Sequence, residues 1–308
     1  MKIAVMGAGG VGGYFGAKLA QSGCDVTFIA RGKHLAAIQA NGLKITSAAG
    51  DLHIQGAKAT ADPREVGPVD LVLFGVKLWD TASAAEEIRP LIGPDTAVIS
   101  FQNGVVKDEI LQVALGKAAV VGGVCYIAAS IASPGVISHT GSMQKLVFGE
   151  YGGSRSERIE RFLAACQAAG IDAEISDDIN KTIWEKFVFL VALSGSTAAT
   201  RTPIGKVRAH PQSRQLVTGL LQEAIAVGLA EGVALPDGFL ANRMAFCDQL
   251  PETMTSSMHG DLERGNPLEL QWLSGDVSRR GDKLRVATPM NTAVFNILAI
   301  HSEGKPHA

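Results

Sequence analysis

The first residues with chemistry to offer are glycines. Gly7-Ala8-Gly9-Gly10-Val11-Gly12 satisfies G-x-G-x-x-G, with Gly13 and Gly16 adding room just beyond it. In a dinucleotide-binding turn the first glycine permits the tight bend and the second lets backbone approach a pyrophosphate. The third allows close helix–strand packing, and amides at the following helix N-terminus hold the phosphates. In a chain with 35 glycines the motif alone is weak, and a merely structural turn competes with it. Its setting favours the nucleotide, because an apolar run precedes it and a helical pattern follows it. The second signal closes the next strand. An NAD site places Asp or Glu there to bond the ribose 2′-hydroxyl, whereas this chain has Ile29-Ala30-Arg31-Gly32-Lys33. A guanidinium suits bidentate recognition of a 2′-phosphate, and Lys33 adds charge, so NADP(H) is expected over NAD or FAD. A solvated surface arginine is the alternative.

These groups need a scaffold. Lys2–Met6 is a nearly continuous apolar run, the signature of a strand buried on both faces. Residues 11–20 read as a helix stopped by Ser22-Gly23, and Asp25–Ile29 as a second strand, which makes a βαβ unit and a parallel sheet. Alternation continues with strands at 69–76, 96–101 and 118–126 and helices at 81–91 and 107–115. After Ser133-Pro134-Gly135, 136–139 and 145–150 read as antiparallel strands around a Gly-Ser turn. A helix at 156–169 and a strand at 171–175 follow. From Asp178 onward strand signals vanish, and helical spacing runs on with breaks at Pro211, Pro236, Pro251, Pro267 and Pro289. The expected fold is α/β: a Rossmann-type doubly wound parallel sheet over 1–178, then an all-helical domain over 179–308.

Composition removes several classes of function. With 46% hydrophobic and 19% charged residues the chain can bury enough surface to fold. Its 28 basic and 30 acidic residues leave a formal charge of −2, so no basic field exists to recruit nucleic acid or an anionic membrane. No apolar stretch approaches the 18 or so residues of a membrane span, and Met1–Met6 runs into glycines without a signal-peptide core. A soluble cytoplasmic protein is expected. Cys24, Cys125, Cys166 and Cys247 lie far apart, as reduced thiols do. His34, His53, His139, His210, His259, His301 and His307 are scattered, so no metal is expected.

Over nearly its whole length the chain resembles the ketopantoate reductase (2-dehydropantoate 2-reductase) family. The resemblance rests on the glycine loop with Arg31, Gly75-Val76-Lys77, Gln102-Asn103-Gly104, Trp184-Glu185-Lys186 and Ser256-Ser257-Met258. The segment from Glu269 to Gly275 completes it, twelve residues beyond Ser257. It implies NADPH-dependent reduction of a 2-oxo acid, ketopantoate in the first instance, in a cleft between two domains. By position it implies Lys186 as the general acid and Asn103 as a contact to cofactor and substrate. Lys77 then lies near the nicotinamide end, Glu269 and Ala129 touch the cofactor, and Ser257 binds the substrate carboxylate. Lys77 and Asn103 each fall just past a parallel strand's carboxyl end, where open α/β sheets bind ligands. A cation beside a ketone oxygen stabilises the charge that grows there in the transition state.

Plainer readings stand beside these. Lys186 also fits a solvated helix charge, and Ser257 a helix-surface serine. Asn266-Pro267-Leu268-Glu269 reads as N-cap to N3 of a capping box, which would make Glu269 a helix-start residue. The family's asparagines four and eight positions after the lysine, and a third in the next loop, are here Leu190, Ser194 and Ile204. Ser194 keeps a hydroxyl for the substrate, and Arg201 is an extra cation for its carboxylate. The substrate is therefore ketopantoate or a more apolar 2-oxo acid; a non-catalytic NADP sensor is the alternative of another class. A dehydrogenase of phosphorylated hydroxy acids ranks behind both, because the helical half has no basic cluster. That half either completes the cleft or buries a homodimer surface.

Overall fold

A computed structural model of the chain describes residues 1–305. It divides into two compact units, residues 1–103 with 107–182, and residues 104–106 with 183 onward.

The first unit alternates strands and helices: β1 (Lys2–Met6), α1 (Gly10–Gln21), β2 (Asp25–Ile29), α2 (Gly32–Asn41), β3 (Leu43–Ser47), β4 (Leu52–Ile54) and β5 (Lys58–Thr60). Then come β6 (Leu71–Phe74), α3 (Thr81–Glu87), β7 (Ala97–Ser100), α4 (Val106–Leu115), β8 (Val120–Ser133), β9 (Val136–Gly149), α5 (Glu157–Ala168) and β10 (Asp172–Ile175). The strands lie in the order β4-β3-β9-β8-β7-β6-β1-β2-β5, with β10 on β9. From β5 to β8 every pairing is parallel; β8 meets β9 antiparallel, and β3 and β10 both pair parallel with β9.

Period-two alternation sends successive residues of a strand to opposite faces, and here both faces are apolar. Ile3 and Val5 of β1, with Leu71, Leu73, Ile99 and Val121, pack under Phe15 and Leu19 of α1 and Phe162 of α5. Their neighbours Ala4, Met6, Val72, Phe74, Val98 and Val120 pack under Ala84 and Ala85 of α3 and Leu111 of α4. Two separate cores on one sheet are what a doubly wound arrangement requires. Burying each of these larger side chains contributes about 1.5–3 kcal/mol.

Three expectations need correction. The segments 136–139 and 145–150 are not a hairpin but one strand, β9. Gly141, Ser142 and Met143 bulge out of it where the register against β8 jumps between Ile127 and Ala128. Gly141 adopts φ +78° there, and His139 Nε2 donates to the Met143 carbonyl at 2.9 Å across the bulge. Second, β8 continues to Ser133, well past Tyr126, because β9 supplies a partner for its whole length. Third, helix α2 and strands β3 to β5 fill a stretch in which sequence reading found no element.

The second unit is helical: α6 (Ile179–Thr200), whose first turn lies in the other unit, then α7 (Ile204–Ala209), α8 (Pro211–Ala230) and α9 (Phe239–Gln249). It ends with α10 (Ser257–Arg264), α11 (Ser274–Leu284) and α12 (Pro289–Leu298). Pro211 and Pro289 open α8 and α12, where a missing N–H costs nothing. Glu223 of α8 accepts from the Met290 and Asn291 amides at 2.7 and 2.8 Å, a carboxylate at the positive end of α12. Trp184 packs edge-on against Phe187 and presses on Gly228 of α8. No described helix is long and apolar enough to cross a membrane.

Candidate functional site

Four neighbouring strands, β7-β6-β1-β2, each end in one piece of the expected site. Asn103 follows β7, Lys77 follows β6, the glycine loop follows β1, and Arg31 follows β2. The order of strands in the sheet thus gathers residues that are about 100 positions apart in the chain.

The loop is shaped as a cradle. Gly7 turns with φ +92°, and the Gly7 and Ala8 amides bond the Ile29 carbonyl at 3.1 and 3.3 Å, which fixes the loop to the end of β2. Gly9 is the N-cap of α1, with no side-chain cap and no acid in the first turn, so the helix brings its positive end to the site uncompensated. A Cβ on Gly9 would meet nothing within 4 Å, whereas one on Gly10 would overlap the Ala129 carbonyl. A Cβ on Gly12 would overlap the Gly7 carbonyl and crowd Val5. Backbone is therefore open on the Gly9 side and sealed on the other, an arrangement that fits a pyrophosphate against the start of α1. Val11 stands half-buried in that first turn, and Ala129 of β8 is part of the wall.

Sequence reading missed a residue that holds this loop. His34 of α2 donates from Nε2 to the Ala8 carbonyl at 2.8 Å, and its Nδ1 accepts the Gly135 amide at 3.1 Å. One imidazole thereby ties the glycine loop to the turn between β8 and β9. Gln102 acts similarly at the neighbouring strand ends. It accepts from Ser100 Oγ at 2.9 Å and donates to the Val76 carbonyl at 2.9 Å and to Thr81 Oγ1 at 2.8 Å. The segments carrying Lys77 and Asn103 are pinned through that buried amide. Lys77 Nζ lies 5.5 Å from the centroid of Trp79, an indole 40% exposed.

Arg31 is exposed at the N-cap of α2 and bonds Glu87, the last residue of α3. Glu87 is a second residue that sequence reading passed over, since its partner lies 56 positions away.

In the helical unit, Lys186, Leu190 and Ser194 share one face of α6 at four-residue spacing. The face begins half-buried at Lys186 and Leu190 and ends fully buried at Ser194. The Ser194 hydroxyl is enclosed without a hydrogen-bond partner. Ile204, at the start of α7, is also fully buried. Arg201 is exposed with φ +49° and shares its charge with Glu263 at 3.3 Å. Ser257 is exposed in the first turn of α10, whose N-cap is Ser256, accepting from the His259 amide at 3.0 Å. The capping box at Glu269 does not form. Asn266 turns back to Asp261 at 3.0 Å, and Glu269 opens a short 3₁₀ turn, half-buried, with Leu268 before it.

Among the described residues no group of His, Cys, Asp and Glu could hold a metal ion; His307 lies outside them. Chemically, the first unit offers a phosphate cradle with a guanidinium at one end and an amide and an ammonium at the other. The second offers a half-buried ammonium.

Known proteins of the same build were found at both levels. The family model of ketopantoate reductase PanE/ApbA matches residues 3–153, and that of its C-terminal region matches residues 178–302. The 2-dehydropantoate 2-reductase of Mesorhizobium japonicum is 33% identical, covering 97% of each chain. The uncharacterized oxidoreductase YkpB of Bacillus subtilis is 32% identical, covering 99% of this chain and all of its own. Among solved structures, a PanE/ApbA family ketopantoate reductase from Ralstonia eutropha superposes with a TM-score of 0.89 at 34% identity over 98% of both chains. With two family models spanning most of the sequence and full-length relatives above 30% identity, this chain belongs to the ketopantoate reductase family of oxidoreductases.

Proposed function

We propose that the protein reduces a 2-oxo acid of the ketopantoate class to its 2-hydroxy acid, with NADPH as reductant and Lys186 as proton donor. The observation that carries the reading is the cradle at the start of α1, open only beside Gly9 and flanked by Arg31 on one side and by Lys77 and Asn103 on the other. In this reading the α1 amides bind the pyrophosphate, Arg31 meets the 2′-phosphate, and Lys77, Asn103, Ala129 and Glu269 line the cofactor. Once bound, the reduced nicotinamide supplies a hydride to the carbonyl carbon. Lys186 Nζ donates a proton to the carbonyl oxygen as negative charge builds there, and solvent then reprotonates the amine. Ser257, in a first turn of α10 that carries no acidic residue, holds the carboxylate, with Arg201 as a cation beside it.

Leu190 favours a second reading of the substrate. One turn beyond Lys186 it presents an apolar, half-buried surface, suited to an oxo acid with a bulkier apolar side chain. The decisive experiment is NADPH oxidation with ketopantoate and a panel of branched, aromatic and polar 2-oxo acids. Turnover of ketopantoate above the rest supports the first reading, and turnover of an apolar acid alone supports the second. Absence of turnover with tight NADPH binding would leave a nucleotide-binding sensor.

A further inference from the structure

The end of β2 carries both signs of charge. Arg31 Nη2 donates to both carboxylate oxygens of Glu87 at 2.6 Å. The two side chains remain 62% and 37% exposed. Glu87 arrives from α3, after β6, on the far side of β1 from Arg31. Its neighbour Glu86 is already matched by Arg89 at 2.5 and 3.0 Å, so on that turn Glu87 is the acid directed at the guanidinium. A carboxylate at this position is how a dinucleotide site bonds a ribose 2′-hydroxyl, and an arginine is how it accommodates a 2′-phosphate. Here each is supplied by a different element.

We propose that Arg31 and Glu87 together read the 2′ position of the dinucleotide, with Glu87 opposing the phosphorylated form and supporting the unphosphorylated one, so that the protein uses both with a narrow preference. The proposal rests on the nucleotide reading above and adds the discriminating residue. An exposed ion pair holds its partners weakly, so Arg31 releases Glu87 readily when a phosphate arrives. The carboxylate stays close. A 2′-phosphate of roughly −1.5 to −2 charge must then sit within several ångströms of a like charge, a repulsion that water reduces and salt screens further. With a 2′-hydroxyl the same carboxylate becomes a hydrogen-bond acceptor.

Equilibrium titrations of NADPH and NADH on the full chain, as wild type, Glu87→Gln and Arg31→Ala, at low and high potassium chloride, test this. Glu87→Gln is expected to tighten NADPH about three- to tenfold and to leave NADH unchanged or weaker, with the gain shrinking in high salt. Arg31→Ala is expected to move the ratio the other way. Equal changes for both nucleotides in Glu87→Gln, or none, would overturn the role of Glu87 while leaving the nucleotide reading intact. A wild-type chain that binds neither dinucleotide would overturn both. Glu87 is surface-exposed, so circular dichroism matching wild type verifies that the variant is folded.

Discussion

At the scale of single residues the weight falls on Lys186 and on two adjacent glycines. Replacing Lys186 by Ala should lower kcat about 100-fold or more with NADPH affinity retained, as measured by steady-state rates beside a nucleotide titration. A loss confined to nucleotide binding would contradict the proposed role of Lys186 as proton donor. Gly9 and Gly10 separate function from folding. Gly10→Ala drives a methyl into the Ala129 carbonyl and should cost about 1–3 kcal/mol in urea unfolding. Gly9→Ala projects into open space, so its stability should lie within about 0.5 kcal/mol of wild type. Nucleotide affinity should nevertheless fall about tenfold or more as a phosphate loses a backbone contact. The glycine motif was legible in sequence because its requirements are local: a turn, an approach and a packing contact within six residues. Glu87 and His34 were illegible because their roles exist only through partners 56 and 26 positions away. The full burial of Ser194 was illegible for a related reason: helical spacing gives the face on which a residue lies but not how deep that face is buried.

Among elements, the short α2 does more than connect β2 to β3. Its His34 joins the glycine loop to the β8–β9 turn, and the accepting Nδ1 and donating Nε2 define one neutral tautomer. His34→Ala should weaken nucleotide binding about three- to tenfold, the worth of one or two net hydrogen bonds. His34→Gln, which keeps a donor near the Nε2 position, should restore part of it. Identical affinities in wild type and both variants would show the bridge to be idle. The central strands β1, β2, β6 and β7 were recognisable because parallel strands covered on both faces are continuous apolar runs. Strands β3 to β5 were not, being short, partly exposed and rich in polar residues. The bulge in β9 imitates a hairpin: a Gly-Ser pair between two apolar runs reads the same whether the chain reverses or merely loops out. Only the unbroken partner strand β8 distinguishes them.

On the scale of the whole molecule, carboxylates at strand and helix ends make stability depend on pH. Asp70 accepts the Lys2 amide at 2.7 Å and pairs with Arg161 at 2.8 Å, joining the starts of β1 and β6 to α5. The backbone hydrogen bond, with Arg161, holds its carboxyl below the usual range. Burial pushes Glu150 up, but Arg158 and Ser156 outweigh this and leave it lowered. A group with a depressed folded-state pKa contributes its stabilisation above the unfolded value and loses it as pH falls through the folded one. Asp70→Asn should therefore cost about 1 kcal/mol near neutrality, modest because the pair is partly exposed. The variant should converge with wild type below the ordinary carboxylate range, as urea melts at several pH values would reveal. One feature at the carboxyl ends of the central strands has a practical use. Trp79 stands half in water beside Lys77, while Trp184 is buried in the helical unit. Indole emission overlaps the absorption of a dihydronicotinamide. Ultraviolet light thus gives this protein a built-in gauge, one that should dim on loading with reductant and brighten as the coenzyme is spent, with no dye attached.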